Sequence, residues 1–338
     1  MLKRFERGYI LLSKGANQEE MRQMSEKITI RKIAAELGVA PATVYRVLSG
    51  RGSASLGTRR KVIRFARRYG YSLPEHKSGN VAVVVPGFTF FGYFGSMLFH
   101  LEKALHDAGF MIQLIPESDV AVLDDHVFDG VILLAWKSGE MLKLPEKYSI
   151  PVISLNAAYS VQDNIPLVAS DGFGIERALN YLRSHGCLKI FFVGTILEKD
   201  PIAQERLEIF RLFCSRNGQP FENMHLALRG WDVAESVPQI IAQKADGVFC
   251  ASETYGYRLA QAFRQAGIRI PEDISLMGME YKELNSIVDP PITAIGQDFE
   301  KLANAAVLEL IRAMEGKPAK NVRVPYTLIE RNSVKILK

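Results

Sequence analysis

Cysteine, tryptophan and histidine are scarce in this sequence: three, two and six among 338 residues. Cys187, Cys214 and Cys250 lie far apart in apolar surroundings. That excludes a disulfide framework and metal-ligand spacing, and suits reduced core residues. His76, His100, His106, His126, His185 and His225 are scattered, so no histidine cluster suggests a metal, and no cofactor is expected. Walker loops and nucleophile elbows are also missing, which removes the motif-based case for an enzyme. No apolar run approaches the ~18 residues of a membrane helix. The opening MLKRFERGYILLSKGANQEE lacks a long apolar core and a small-residue cleavage site, arguing against a secretory signal and for a cytoplasmic protein. The length exceeds what one core usually organises, so two or three domains are expected.

Charge is plentiful but unevenly placed. The net charge is +5, yet residues 1–75 hold 16 Lys and Arg against 6 Asp and Glu, a net of +10. The rest of the chain carries −5. A small basic head on a mildly acidic body points to a polyanion met by the head alone; a solvated basic surface is the plainer alternative.

In that head, KIAAELGVAPATVYRVLSG (Lys32 to Gly50) reads as helix, break, helix. Ile30, Ile33, Ala34 and Leu37 make one apolar stripe. Gly38 stands where a left-handed C-terminal residue belongs, and Pro41 suits the first position of a second helix. Val44, Val47 and Leu48 supply that helix's inward face, while Ala42, Tyr45 and Arg46 point elsewhere. Two short helices joined by a tight glycine turn form a helix-turn-helix, whose second helix fits the DNA major groove. A third helix is predicted over 58–69, with Val62, Ile63, Ala66 and Tyr69 inward and Arg59, Arg60, Lys61, Arg64, Arg67 and Arg68 outward. Such side chains neutralise phosphates and make binding salt-dependent. A purely structural three-helix bundle is the competing reading.

TIRKIAAELGVAPATVYRVLSG, followed by TRRKVIRFARRYGYSLP, resembles the head of the LacI family of bacterial transcription regulators. The shared features are T-I-x-x-I-A, the L-G-V turn, T-V-x-x-V-L, and a Thr-Arg helix ending in G-Y-x-x-P. The resemblance implies a helix-turn-helix over 28–73 that binds double-stranded operator DNA. It places Pro41, Ala42, Tyr45 and Arg46 on the base-reading face, and Thr29, Thr43, Arg51 and Arg59 among the other DNA contacts. Arg46 is the strongest candidate for a base contact, because its fork can bond guanine O6 and N7. Tyr45 stands where the family usually has serine. Ala40 replaces a capping serine, so Pro41 must help to start the helix. Residues 1–27 precede the usual family start and are expected to be a disordered arm or a mis-called start.

Family members usually follow this head with a hinge helix that wedges a leucine into the minor groove. Here YSLPEHKSGNVAVVVPG leaves a segment about seven residues too short for that helix at ~1.5 Å per residue. Residues 74–80 are therefore expected to be a short linker without the hinge helix, and operator binding to rest on major-groove and phosphate contacts.

From residue 81 to 338 the chain alternates strand and helix. NVAVVVPG, FMIQLIP, DGVILLAW, PVISLN, KIFFVG, ADGVFCAS and ISLMGM are apolar strands, separated by amphipathic stretches such as SMLFHLEKALHDAG and IERALNYLRSHG. Continuous apolar strands between amphipathic helices indicate parallel sheets covered on both faces. The strands are too many for one small sheet, so two α/β lobes are expected, with a ligand between them at the strands' carboxyl ends. IRIPEDISLMGME and DPPITAIGQDFEKLANAAVLELI are similar to the LacI-family effector domain, a two-lobed periplasmic-binding-protein-like fold of type I. That likeness implies three crossings between lobes, residues ~81–158 and ~297–322 in the lobe nearer the DNA, and a homodimer.

The same likeness implies an effector cleft formed by Asn156, Arg206, Trp231, Ser252, Glu253, Glu280, Gln297 and Phe299, and Phe88 is added as a candidate from the aromatic run FTFFGYF. These types can satisfy a small polar ligand's hydroxyls while an aromatic covers its apolar face. Arg206 could instead be a surface residue paired with Glu208, and Trp231 could be core. Phe88, Phe90, Phe91, Tyr93 and Phe94 are either cleft wall or packing. Ser252 and Glu253 stand where Asn-Asp is usual, Ile209 where Gly is frequent, and Glu280 where Asp is usual. One extra methylene moves the carboxylate by about 1.5 Å, enough to change which hydroxyl it reaches. The expected function is a DNA-binding transcription regulator, by family default a repressor, modulated by a sugar or related polar effector. The alternatives are a cytoplasmic sugar- or nucleoside-binding protein with weak or non-specific DNA binding, and an enzyme with a convergent site.

Overall fold

The computed structural model describes residues 28–49, 54–69, 71, 79–87, 92–124, 126, 128–135, 139–156, 165–195, 201–228 and 232–336. The expectations for residues 1–27, for most of the linker 74–80, and for Arg51, Phe88 and Trp231 lie outside the described residues.

The head contains α1 (Ile30–Leu37), α2 (Pro41–Leu48) and α3 (Leu56–Arg68). Thr29 caps α1, its Oγ1 accepting from the Lys32 N–H at 3.3 Å. Gly38 ends it at φ 63°, a left-handed conformation that costs glycine nothing. At Ala40 there is no side-chain cap, and Pro41 opens α2, as the sequence suggested. Helix α3 starts earlier than its apolar stripe predicts, because Ser55 Oγ accepts from the Thr58 N–H at 3.2 Å and so fixes the first turn. Ile33, Val44, Val47, Leu48, Val62, Ile63 and Ala66 are buried together. Tyr69, expected in that core, is 45% exposed; Tyr71 packs against the core instead.

The body follows as β1 (Gly79–Val85), α4 (Gly92–Asp107), β2 (Phe110–Pro116), β3 (Gly130–Leu134), α5 (Leu144–Tyr148), β4 (Val152–Leu155) and β5 (Leu167–Ser170). It continues through α6 (Gly174–Ser184), β6 (Ile190–Thr195), α7 (Pro201–Asn217), β7 (His225–Leu228), α8 (Val237–Ala242), β8 (Gly247–Cys250), α9 (Tyr255–Gln265), β9 (Ser275–Met279), α10 (Lys282–Asn285), β10 (Thr293–Gly296), α11 (Phe299–Met314), β11 (Val322–Val324) and β12 (Thr327–Ile329). One sheet has the order β11-β5-β4-β3-β1-β2, the other β12-β10-β9-β8-β6-β7. All pairings are parallel except that of β10 with β12.

Strand β1 shows why these strands read as unbroken apolar runs. Val81, Val83 and Val85 pack with Leu101 of α4 and Leu302 and Ala306 of α11. Ala82 and Val84 face the other side, with Leu123, Met141 and Tyr148. Both faces of the sheet are covered, so neither set of side chains is free to be polar. Helix α4 begins at Gly92, so Tyr93 and Phe94 form its first turn and are not loop residues.

Three segments join the lobes: 171–173 after β5, 297–298 after β10, and 325–326 after β11. The first lobe extends past the expected boundary near 158, because β5 pairs with β4 and β11 with β5. Cys187, Cys214 and Cys250 are free and buried. Burial pushes the Cys214 thiol up to about 11, as suits a packing residue rather than a nucleophile.

Candidate nucleic-acid interface and interlobe cleft

Helix α2 divides cleanly. Val44, Val47 and Leu48 are buried, whereas Pro41, Ala42, Tyr45 and Arg46 are exposed. Tyr45 presents a large aromatic that is 48% exposed on the same face as Arg46. The Arg46 guanidinium lies back along its own helix: Nε donates to Ala42 O at 3.3 Å and Nη2 to Thr43 Oγ1 at 3.1 Å. Both bonds are long and exposed, so exchanging them for a charge-assisted pair on a base edge is cheap. Thr29 is occupied as the α1 cap, Thr43 is half-buried beside Arg46, and Arg59 is half-buried on α3 with exposed Lys61 and Arg64 nearby in sequence.

In the cleft, Asn156 directly follows β4 at φ 49°, a left-handed position that asparagine tolerates. Its side chain is 8% exposed; Oδ1 accepts from the Ser170 N–H at 3.1 Å and Nδ2 donates to Gln297 Oε1 at 2.7 Å. Gln297 Nε2 in turn donates to Tyr326 Oη at 3.0 Å. Phe299 opens α11 and meets the Tyr93 ring edge-on, with centroids 5.8 Å apart.

From the second lobe, Arg206 Nη1 donates to Ala251 O at 2.7 Å, at the carboxyl end of β8. Its suggested partner Glu208 is taken by Arg211, at 2.6 Å, so Arg206 is not one half of that surface pair. With Phe192, Thr195, Leu207 and Ala251 it borders a cavity of about 20 Å³, room for a water. Ser252 and Glu253 follow β8 and are half-buried.

Glu280 departs from the expected geometry. It lies after β9, but its carboxylate faces Arg331, whose Nη1 donates to Oε2 at 2.9 Å and Nη2 to Oε1. Asn285 Nδ2 donates to the same Oε2 at 3.3 Å. The longer side chain reaches this internal pair, so both of its oxygens are engaged before any ligand arrives.

Two residues that sequence reasoning did not assign, Arg331 and Tyr326, matter here, as does Tyr93, which it left between cleft wall and packing. Arg331 neutralises Glu280, Tyr326 completes the Asn156–Gln297 chain, and Tyr93 brings a buried phenol beside Asn156. The Tyr93 hydroxyl makes no hydrogen bond among the described residues, and neither do the hydroxyls of Ser170 and Thr254. Burial, opposed by the adjacent Asn156 side chain and aided by the nearby Glu253 and Tyr326, pushes the Tyr93 phenol well above its usual range, so it is a hydrogen-bond donor at neutral pH. Buried hydroxyls without partners are uncommon and mark places where a polar ligand can be received.

Comparison with known proteins agrees with this architecture. Residues 179–334 match the periplasmic binding protein-like domain, and residues 12–51 match a helix-turn-helix domain of resolvase. The chain is 25% identical over 312 residues to the HTH-type transcriptional repressor CytR of Escherichia coli (strain K12), covering 86% of this chain and 90% of that protein. It is 26% identical to a ribose operon repressor of Halalkalibacterium halodurans, covering 91% of this chain and 97% of that one. A lac repressor dimer solved with operator and the anti-inducer ONPF superposes with a TM-score of 0.65 at 19% identity, covering 92% of this chain and all of that one, which establishes shared fold. A helix-turn-helix head that exposes Tyr45 and Arg46, carried on two α/β lobes joined by three crossings, thus accompanies similarity over almost the whole chain to transcriptional repressors such as CytR and the ribose operon repressor.

Proposed function

We propose that the protein is a cytoplasmic transcriptional repressor that binds double-stranded operator DNA as a homodimer and takes a sugar-like effector between its lobes. The carrying observation is α2, which buries Val44, Val47 and Leu48 and leaves Pro41, Ala42, Tyr45 and Arg46 free to enter a major groove. Thr29, Thr43, Arg51 and Arg59 are assigned to the flanking contacts, and two heads read half-sites about 34 Å apart. The domain division proposed is a head at 28–73, a linker at 74–80 and an effector body at 81–338, preceded by an extension at 1–27. The effector residues proposed are Asn156, Arg206, Ser252, Glu253, Gln297 and Phe299, with Phe88 and Trp231. Glu280 holds Arg331 in this scheme and contributes to the cleft only through that pair. The amides, guanidinium and carboxylate among these suit a hydroxylated ligand, and the similar ribose operon repressor supports a sugar. No catalytic step and no cofactor are assigned.

The test is selection of fragmented genomic DNA by the purified protein at about 0.15 M salt, where non-specific phosphate binding is weakened. Enrichment of a few palindromic sites is expected. Uniform recovery of all fragments, or of none, would favour a small-ligand binding protein with little sequence preference. On a selected site, Arg46→Ala is expected to lose about 1–3 kcal/mol and to relax preference at one base pair. Arg59→Ala should weaken all sequences alike and lower the salt slope by about one. Equal losses on all sequences for Arg46→Ala would remove it from base reading.

A further inference from the structure

The polar chain in the cleft connects more than ligand groups. Its members are Ser170 at the end of β5, Asn156 directly after β4, Gln297 in the second crossing and Tyr326 in the third. The first crossing starts at Asp171, whose N–H donates to Val324 O at 2.9 Å, just before the third crossing. Arg323 Nη1 reaches Ser170 O at 3.3 Å. All three hinge segments are therefore stitched together within one small region.

Tyr326 joins this chain to the second lobe. Its ring lies directly on Gly174, the first residue of α6; a Cβ added there would come within 2.4 Å of ring carbons. The absence of a side chain at Gly174 lets the ring seat against the helix start while its hydroxyl turns back to Gln297. The chain therefore runs from Asn156 of the first lobe through Gln297 and Tyr326 to α6 of the second, and a rotation between the lobes strains it at one of these links.

We propose that Tyr326 is the positioning residue that fixes the angle between the lobes, by anchoring the Ser170–Asn156–Gln297–Tyr326 chain across all three crossings. The proposal rests on the effector reading in one respect only: Asn156 and Gln297 are also the groups a hydroxylated ligand would engage. A ligand that takes either amide competes with the chain and so acts on the lobe angle. The buried Tyr93 hydroxyl lies beside Asn156 and adds a donor at the same end of the chain.

The test needs neither DNA nor effector, so it stands apart from the repressor reading. Spin labels at Lys103→Cys on α4 and Gln261→Cys on α9, both exposed, report the interlobe distance in the full chain. The native cysteines Cys187, Cys214 and Cys250 are buried and leave the labelling selective. The parent protein is expected to give one dominant distance. Tyr326→Phe keeps the ring on Gly174 and removes only the hydroxyl. Gln297→Leu removes the middle link. Tyr326→Phe should raise the minor, more open population roughly three- to ten-fold, the effect of losing one net hydrogen bond, and Gln297→Leu, which loses two, by at least as much. Gln297→Glu should restore the parent distribution, because a carboxylate accepts from both the Asn156 amide and the Tyr326 O–H. Parent-like distances in both Tyr326→Phe and Gln297→Leu would overturn the proposal, as would a Gln297→Glu protein that opens like Gln297→Leu.

Discussion

Arg331→Ala is expected to destabilise the body by about 3–5 kcal/mol, because it strands the Glu280 carboxylate in the interior. The two side chains are 14% and 12% exposed, so solvent screens the pair only weakly. Arg331 also donates to the Ile292 carbonyl, and its own N–H donates to Thr293 Oγ1 at 3.0 Å. The side-chain truncation therefore orphans one charge and one backbone acceptor, leaving the Glu280 carboxylate, among the described residues, with the 3.3 Å contact from Asn285. For a body of this size the loss corresponds to a fall in Tm of roughly 6–20 °C, read by calorimetry on the body's transition. The paired variant Arg331→Met with Glu280→Leu should recover most of that loss, since a buried ion pair stabilises little over well-packed apolar groups. A loss below about 1 kcal/mol for Arg331→Ala would mean that the pair is solvated, as exposed pairs are. Glu280 would then be available to the cleft as the family likeness implied.

That pair also marks where reading the sequence stops working. The head was legible because its signals are local: Gly38 and Pro41 sit next to the helix ends they define, and the 3.6-residue stripe of Ile30, Ile33, Ala34 and Leu37 needs no distant information. The strands were legible because burial on both faces leaves runs such as NVAVVV, which few other contexts tolerate. The start of α3 was missed by following its apolar stripe; Ser55, a cap one residue before Leu56, was the signal. Strand β5 has four residues, too few for a period, and its place in the first sheet depends on pairing with β4 and β11. Glu280 and Arg331 are 51 residues apart, and nothing in either neighbourhood announces the other. Residue type alone said that Glu280 could bind a hydroxyl; only the fold shows what holds it. The same holds for Tyr326, an aromatic in VPYTLI whose role depends on a glycine 152 residues earlier.

Ile33→Asp should abolish sequence-specific DNA binding while leaving the body's transition unmoved. The head's core consists of Ile33, Ala34, Val44, Val47, Leu48, Val62, Ile63 and Ala66, with Ile33 at 0% exposure. A unit this small holds only about 3–5 kcal/mol of its own stability. Truncation of a buried isoleucine costs about 2–5 kcal/mol, so Ile33→Ala takes the head close to the point of unfolding without certainly passing it. DNA would then refold it by mass action, since excess ligand at 100 times its Kd contributes about 2.7 kcal/mol. An aspartate at the same position adds an unpaired buried charge worth several kcal/mol and pushes the equilibrium well past that reserve. Titration of a selected operator, followed by fluorescence anisotropy, should show at least a thirty-fold loss for Ile33→Asp, equivalent to about 2 kcal/mol. Ile33→Ala should show a smaller loss that shrinks as DNA is raised, with helical signal regained on binding. The body's cores share no residue with the head's, so calorimetry should find its transition unchanged in both variants. Retention of tight binding by Ile33→Asp would mean that the head draws its stability from outside its own core. Tyr45→Ala is the control: that side chain is half-exposed on α2, so the fold should persist and only base preference should change.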